Sequence, residues 1–180
     1  EKDQGKIYIN GKDIDTSLGE IKKDFGVVFQ NSVLDKALSV YDNLKYRASL
    51  YNIHGLEFEK RLNEVSEMLN LHNILKRSVG KLSGGQVRRV DIARAIIHNP
   101  KILFLDEPTT GLDPHTRKNV WDVVSKLRRE NNITVFLTTH YMEEAADADY
   151  IVIIDQGKIV ASGTPLELKN IYTVDYISLY

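Results

Sequence analysis

The feature that most constrains this chain is a small-residue motif followed by a short apolar run that ends in two acids. The motif is Leu-Ser-Gly-Gly-Gln at residues 82–86, and the run Ile-Leu-Phe-Leu at 102–105 is followed by Asp106 and Glu107. A run that is apolar on both faces predicts a buried parallel strand. Open α/β sheets bind ligands at the carboxyl ends of such strands, so the acids predict a phosphate-handling site. Hard oxygen donors there favour Asp106 as a magnesium ligand and Glu107 as a general base.

These two motifs, in this order, resemble those of the ATP-binding-cassette (ABC) ATPases, whose signature motif is LSGGQ and whose Walker B strand ends in Asp-Glu. The resemblance implies a P-loop NTPase-type α/β core with a mainly parallel sheet, a partial antiparallel β subdomain and a helical insertion. It also implies ATP and Mg²⁺ as ligands, with Asp106 on the metal and Glu107 as the catalytic base. The simpler interpretations are a capping carboxylate at Asp106 and an ordinary acidic pair that includes Glu107.

The phosphate loop of such a core, G-x-x-x-x-G-K-[S/T], does not occur among the 180 residues. The Gly-Lys pairs that begin at residues 5, 11, 80 and 157 are followed by Ile, Asp, Leu and Ile, and none of these supplies a hydroxyl. The family carries this loop upstream of the stretch that resembles residues 5–11. We therefore expect a truncated cassette that lacks its amino-terminal strands. We expect the longer protein that carries the phosphate loop, here called the intact parent, to hydrolyse ATP. We expect this chain alone to be inactive.

Composition limits the classes of partner and compartment. The 24 basic and 25 acidic residues leave a formal net charge of −1, which gives no broad attraction to nucleic acid. The absence of cysteine excludes disulfides and thiolate metal sites and suits a reducing compartment. No apolar stretch approaches the about 18 residues of a membrane span. Together with the resemblance, this predicts a cytoplasmic protein, peripheral to the inner face of the cell membrane through a permease partner.

Turn and periodicity signals predict a change from β to helical structure along the first half of the chain. Asn10-Gly11 closes a short alternating run and predicts a hairpin, and the apolar run at 25–29 predicts a strand. The pattern then becomes helical from about residue 40 to 97. One apolar stripe within it repeats at spacings of four, three and four: Phe58, Leu62, Val65 and Leu69.

The later signals alternate between helix and strand, which indicates a parallel sheet. Ser83 and Gln86 have the capping-box spacing, which starts a helix at the signature motif. Asp113-Pro114 caps another helix, and runs at 133–139 and 150–154 predict two further strands. The predicted domains are an incomplete α/β core from residues 1–30 and 99–180, and an α-helical signature subdomain from residues 31–98.

The resemblance assigns the remaining site residues by motif. Gln30 matches the Q-loop glutamine, which ligates magnesium or orders water, and His140 matches the switch histidine, which contacts the γ-phosphate. Asp113 matches the D-loop, which crosses the interface with a second ABC subunit. In the family, the signature binds ATP held by that opposite subunit. Its matching residues here are Ser83, Gly84, Gly85 and Gln86.

Simpler interpretations of these residues stay open at this point. Gln30 alone would be a surface amide, and a capping role alone would explain Asp113. A Gly-rich turn before a capped helix explains where that helix starts but not the whole signature motif. A lone histidine is more often structural than catalytic. That interpretation is adopted for His54, His72, His98 and His115.

Residues 138–145 and 162–165 most resemble the bacterial drug- and polysaccharide-exporter branch of the family. The predicted function is the ATP-binding and hydrolysing subunit of an ABC exporter, with a second ABC ATPase subunit and membrane permeases as partners. The cargo is selected by membrane segments, so the sequence does not define it. The alternatives are a non-transport ABC ATPase of translation or DNA maintenance, and a fragment that acts only as an interaction module. The stretch between Gln30 and Ser83 is too short for a long coiled coil, and the charge offers no nucleic-acid surface.

Overall fold

The computed structural model describes residues 4–172, which form two compact units that meet in sequence between Thr138 and Thr139. None of the helices in this part of the chain has the length and apolar character needed to span a membrane. The strands of the first unit are β1 Tyr8–Ile9, β2 Lys12–Asp13, β3 Phe25–Val28, β4 Ile102–Asp106 and β5 Thr134–Thr138. Its α-helices are α1 Ile14–Ile21, α2 Val40–Ser49, α3 Gly55–Leu69, α4 Gly84–Ile96 and α5 Pro114–Asn131.

The first unit contains a parallel sheet in the order β3-β4-β5 and a separate β1-β2 hairpin. The predicted hairpin is confirmed: Asn10 and Gly11 both have positive φ, as the tight turn between two antiparallel strands requires. In the parallel sheet, Val28 lies beside Leu105 and Asp106 lies beside Thr138. The carboxyl ends of three strands therefore lie along one edge, as the alternation of helix and strand predicted.

The two faces of β4 differ in burial, whereas the sequence predicted a strand buried on both. Leu103 and Leu105 are almost completely buried. On the other face Phe104 is half-buried and packs against the rings of Phe25 and Phe136, at centroid distances of 5.2 and 5.4 Å. Phe136 itself is 58% exposed. The aromatic side chains on this face thus pack against one another, and Phe136 stays largely exposed to solvent.

The predicted helical stretch consists of α2, α3 and α4, and its apolar stripe packs into the core as expected. Phe58, Leu62, Val65 and Leu69 are all buried. Helix α4 contacts α2, α3, α5 and strand β3. It approaches β3 so closely that a Cβ atom on Gly26 would overlap the carbonyl oxygen of Ala95. Glycine at residue 26 therefore allows the helix that follows the signature motif to lie directly on the sheet. The division into a core and a 31–98 subdomain stays a prediction.

The second unit contains α6 Met142–Ala145, the strands β6 Ile151–Asp155 and β7 Lys158–Gly163, and α7 Pro165–Tyr172. Strands β6 and β7 form an antiparallel hairpin, closed by Gln156 and Gly157 with positive φ. The sequence analysis predicted the strand at 150–154 but not α7. That helix begins with a capping box in which Glu167 accepts from the Thr164 N–H at 2.8 Å and donates its own N–H to Thr164 Oγ1 at 3.2 Å.

His98 has a structural role at the start of β3. Its Nε2 donates to the carbonyl oxygen of Phe25 at 2.9 Å, and its ring stacks on Tyr51 at a centroid distance of 3.8 Å. Burial lowers the pKa of His98 to about 4; the bond to Phe25 opposes this shift, and the charges of nearby arginines add to it. The neutral ring is therefore the form that the fold accommodates. The sequence analysis predicted a structural role for His98, and these contacts are of that kind.

We predict that the free energy of unfolding falls as the pH drops from about 6.5 to about 4, because the unfolded chain then binds a proton that folded His98 rejects. One proton gives at most about 1.4 kcal/mol per pH unit, and the partial exposure of the ring reduces this. Urea unfolding of the chain and of His98→Gln at about pH 7 and about pH 5 checks it. The exposed His72→Gln is the control. An equal pH dependence in all three proteins would contradict this assignment.

Candidate functional site

The two acids after the apolar run lie where the sequence predicted, at the carboxyl end of β4. Asp106 is its last residue, and its Oδ1 accepts a hydrogen bond of 2.6 Å from the hydroxyl of Thr138 on β5. The Glu107 N–H donates to the carbonyl oxygen and the hydroxyl of the same threonine, each at 3.1 Å. Thr138 thus fixes both acids from the neighbouring strand. Sequence reasoning did not identify it, although its place at the end of a predicted strand was a signal.

The Glu107 carboxylate is held by one side chain from a distant segment and one from its own turn. Its Oε2 accepts from the Gln30 amide at 3.0 Å and from the Thr110 hydroxyl at 3.0 Å. The structure therefore brings together Gln30 and Glu107, which are 77 residues apart in sequence. Glu107 also has a φ of +41°, a left-handed conformation that costs a non-glycine residue on the order of 1 kcal/mol. Such strain at a polar cluster is typical of functional sites.

Arg88 holds the backbone of this turn in place, and sequence analysis missed it. The side chain is 7% exposed and extends from the first part of α4 toward the sheet. It donates to the carbonyl oxygens of Phe29 at 2.6 Å, Asp106 at 3.3 Å and Glu107 at 3.0 Å, and also to that of Pro108. One buried guanidinium therefore joins the signature helix to the ends of β3 and β4. Burial lowers its pKa, but an arginine stays charged at neutral pH.

The donor atoms near Asp106 fit a magnesium ion bound together with phosphates. Oδ1 of Asp106 accepts from Thr138, and Gln30 uses its amide N–H₂ toward Glu107, which leaves its amide oxygen as a hard donor. In the part of the chain that the structure describes, no three His, Cys, Asp or Glu side chains converge as a metal cage. Magnesium commonly binds through one or two protein oxygens, with water and substrate phosphates completing its shell. Asp106 and the amide oxygen of Gln30 are one or two protein oxygens of this type.

The signature motif begins α4, as the capping-box spacing predicted. Ser83 is the N-cap; its hydroxyl accepts from the Gln86 N–H at 3.3 Å, and the Gln86 side chain accepts from the Ser83 N–H at 3.0 Å. Ser83 and Gly84 are exposed. The first turn of a helix carries unpaired N–H groups and a partial positive charge, which favour an anion at this end. The predicted contact of these residues with ATP stays a prediction.

Asp113 is connected to the signature by one residue, Thr116, which contacts both. It caps α5, accepting from the Thr116 N–H at 3.0 Å and from the Thr116 hydroxyl at 2.5 Å. These bonds hold the pKa of the Asp113 carboxyl below its usual value. The methyl group of Thr116 faces Gly85, where a Cβ atom would overlap it. Thr116 therefore connects Asp113, in the segment matching the D-loop, to Gly85 of the signature.

We predict that Gly85→Ala destabilises the chain by about 1–3 kcal/mol, the usual cost of an overpacked contact. Thr116 cannot turn its methyl group away without breaking its hydroxyl bond to Asp113. Gly84→Ala is the matched control, because its Cβ would lie 3.7 Å from Leu112 Cδ2, an ordinary contact. Urea unfolding checks both. Thr116→Ser removes the methyl and should rescue Gly85→Ala; failure of that rescue would show that the contact is not the cause.

His140 belongs to the second unit and is exposed there. Its ring lies 4.1 Å from the ring of Tyr141, whose N–H donates to the hydroxyl of Thr139 at 3.0 Å. That hydroxyl in turn donates to the buried Glu144 carboxylate. The loop around His140 is thus ordered by a threonine and a glutamate that sequence analysis did not single out. The predicted contact of His140 with the γ-phosphate stays a prediction.

Comparison with known proteins gives one matching family and several relatives. The sequence model of the family described as ABC transporter matches residues 1–110. Daunorubicin resistance ATP-binding protein DrrA2 of Streptomyces coeruleorubidus is 39% identical over 178 residues, covering 98% of this chain and 55% of the relative. Doxorubicin resistance ATP-binding protein DrrA of Mycobacterium tuberculosis is 40% identical over 169 residues, covering 93% and 51%. The chain therefore spans about half the length of these curated relatives.

Solved structures give the same fold. The dimeric, post-hydrolysis structure of the ATP-binding cassette MJ0796 with ADP and phosphate matches with a TM-score of 0.78 and 30% identity, over 91% of this chain and 74% of that one. The structure of cbiO1 from Clostridium perfringens, described as part of the ABC transporter complex cbiONQ, matches with a TM-score of 0.83 and 27% identity. It covers 93% of this chain and 69% of that one. The predicted α/β fold class is confirmed.

Proposed function

The chain belongs to the ABC transporter family, and on that premise we propose that its parent protein is the ATP-binding and hydrolysing subunit of an exporter. The observation that carries the proposal is the Glu107 carboxylate, held by Gln30 and Thr110 beside Asp106 at the carboxyl edge of a parallel sheet. ATP is the proposed substrate. The exporter assignment is supported by the drug-resistance ATP-binding proteins that the chain resembles.

Each proposed role follows from the chemistry of the group. Glu107 accepts a proton from the water that attacks the γ-phosphate, and the Gln30 amide orients that carboxylate. Asp106 is held by Thr138 at the carboxyl end of β4, where Mg²⁺ would neutralise charge on the phosphates. His140 is proposed to donate a hydrogen bond to the γ-phosphate. No residue of the chain takes the place of the phosphate-loop lysine in this assignment.

The proposed partners are a second ABC subunit and a membrane permease, which would place the protein at the inner face of the cell membrane. Ser83, Gly84, Gly85 and Gln86 supply a helix amino terminus for ATP held by the other subunit, and Asp113 lies at the same surface. The dimeric MJ0796 structure and the membership of cbiO1 in a transporter complex support this arrangement. The formal net charge of −1 does not favour a role in translation or DNA maintenance.

Calorimetric titration of magnesium-ATP tests the proposed function. We would titrate the 180-residue chain and a longer version that also carries a phosphate loop upstream, and follow phosphate release in parallel. The proposal expects binding and turnover in the longer version only, since the phosphate-loop motif is not among these residues. Turnover by the 180-residue chain would show that another phosphate site is used. Binding by neither version would favour the interaction-module alternative.

We predict that Ser83→Arg blocks ATP-dependent association of the intact parent, because a long cation would occupy the space proposed for the partner's nucleotide. Asn63→Arg is the matched control, since Asn63 is exposed on α3 and the added charge is the same. Both variants are made in a parent that also carries Glu107→Gln. Light scattering in the presence of ATP then measures how far each variant associates. We expect dimers for the control and monomers for Ser83→Arg. Equal dimer formation by the two variants would refute the role of the signature in the interface.

A further inference from the structure

A cavity of about 380 Å³ lies where α1 and the 3₁₀ turn Lys22–Asp24 meet the carboxyl end of α2. Its volume is within the range of small-molecule pockets. Of its seven lining residues, Lys22, Lys23 and Arg47 are basic and none is acidic. Lys22 and Lys23 precede the first residue of β3, whereas Gln30 and Glu107 lie beyond its carboxyl end. The cavity is therefore at the opposite end of that strand from the candidate site.

Arg47 is positioned in this cavity without a compensating carboxylate. One of its terminal nitrogens donates to the Tyr51 hydroxyl at 2.8 Å, and the guanidinium lies 4.9 Å from the centroid of the Tyr51 ring. That ring is fixed in turn by its stack on His98. Within residues 4–172, no ion pair to Arg47 is formed, and its enclosed Nε has no hydrogen-bond partner. The Arg47 guanidinium is thus positioned by Tyr51, and no carboxylate among these residues pairs with its charge.

The two acids that flank Lys22 and Lys23 in sequence are already paired with other cations. Glu20 forms an ion pair of 2.5 Å with Lys12, and Asp24 pairs with Lys101 at 3.6 Å. Neither of these carboxylates lines the cavity. An anion entering it would meet three positive charges and no negative one.

We propose that this cavity binds a phosphate-bearing anion through Lys22, Lys23 and Arg47. A guanidinium presents paired N–H donors that match phosphate oxygens, and the two ammonium groups add point charges. A phosphate dianion suits three cations better than a single carboxylate does. Leu50 also lines the cavity and is 74% exposed, so two sources of the phosphate fit the site: a soluble phosphate compound and an anionic lipid headgroup. The proposal does not depend on ATP hydrolysis.

Calorimetric titration of inorganic phosphate at low ionic strength tests the site. The proteins compared are the chain, the double variant Lys22→Gln/Lys23→Gln and the control Lys60→Gln/Lys76→Gln. All four lysines are exposed, so neither double variant should disturb the fold, and both lose the same charge. We expect the first variant to bind phosphate roughly tenfold more weakly or worse, since charge-assisted hydrogen bonds are lost. The control should bind as the unmodified chain does.

Absence of phosphate binding by the unmodified chain, or equal binding by the two double variants, would overturn the proposal. Because both variants keep the signature helix, phosphate bound there would not distinguish them. Sedimentation with phosphatidylcholine vesicles, with and without phosphatidic acid, identifies the source of the phosphate. Sedimentation only with phosphatidic acid, lost in Lys22→Gln/Lys23→Gln, assigns a lipid headgroup. No sedimentation, with phosphate binding intact, assigns a soluble phosphate compound.

Discussion

Replacing Glu107 with Gln should lower ATP hydrolysis by the intact parent by about 10²–10⁴-fold while ATP binding is retained. The amide has nearly the same shape as the carboxylate and keeps one oxygen for the bonds from Gln30 and Thr110. It cannot accept the proton of the attacking water at neutral pH. The variant therefore removes the general base with little change in the geometry around it.

Phosphate release and calorimetric ATP binding on the same preparation measure the two quantities separately. Glu67→Gln is the control, because Glu67 is exposed on α3 and its replacement removes the same charge. Turnover within a few-fold of the unmodified protein would exclude Glu107 as the base. A parallel loss of ATP binding would instead indicate that Glu107 is needed to hold the nucleotide.

Local signals in the sequence were sufficient to predict most elements of the first unit. The capping box of α4 and the 58–69 stripe depend on spacings of three and four residues, which the helix itself imposes. The Asn10-Gly11 turn likewise depends only on adjacent residues with positive φ. Such features are encoded within one or two helical turns, so the fold preserves them.

Contacts between distant segments were beyond the reach of the sequence. Gln30 was assigned by its motif, but its bond to Glu107 depends on how the ends of β3 and β4 lie beside each other. Thr138 joins the site because the register places it beside Asp106. The burial of β4 on a single face was also missed, because the apolar pattern of a strand does not show which neighbours cover it. Arg88 follows the signature as one of two adjacent arginines, and nothing in the pattern distinguishes the buried one.

Replacement of this buried arginine, Arg88→Met, should destabilise the chain by about 3 kcal/mol and, in the intact parent, lower kcat by up to about 100-fold. Methionine fills much of the same space but leaves the carbonyl oxygens of Phe29, Asp106 and Glu107 without this donor. The left-handed turn at Glu107 would then relax, and the base would move relative to the phosphate. Arg88 is therefore a positioning residue, acting through the backbone of the acids.

The test for this role separates stability from positioning. Urea unfolding gives the first quantity, and kcat and KM for ATP, measured at a temperature where the variant stays folded, give the second. Arg129→Met, an exposed arginine on α5, controls for the lost charge. Positioning predicts a lower kcat with KM nearly unchanged, because the nucleotide contacts proposed for the signature and Asp106 remain. A destabilised variant with normal kcat would mean that the bonds from Arg88 only hold the fold together, and that Thr138, Gln30 and Thr110 suffice to keep Glu107 in place.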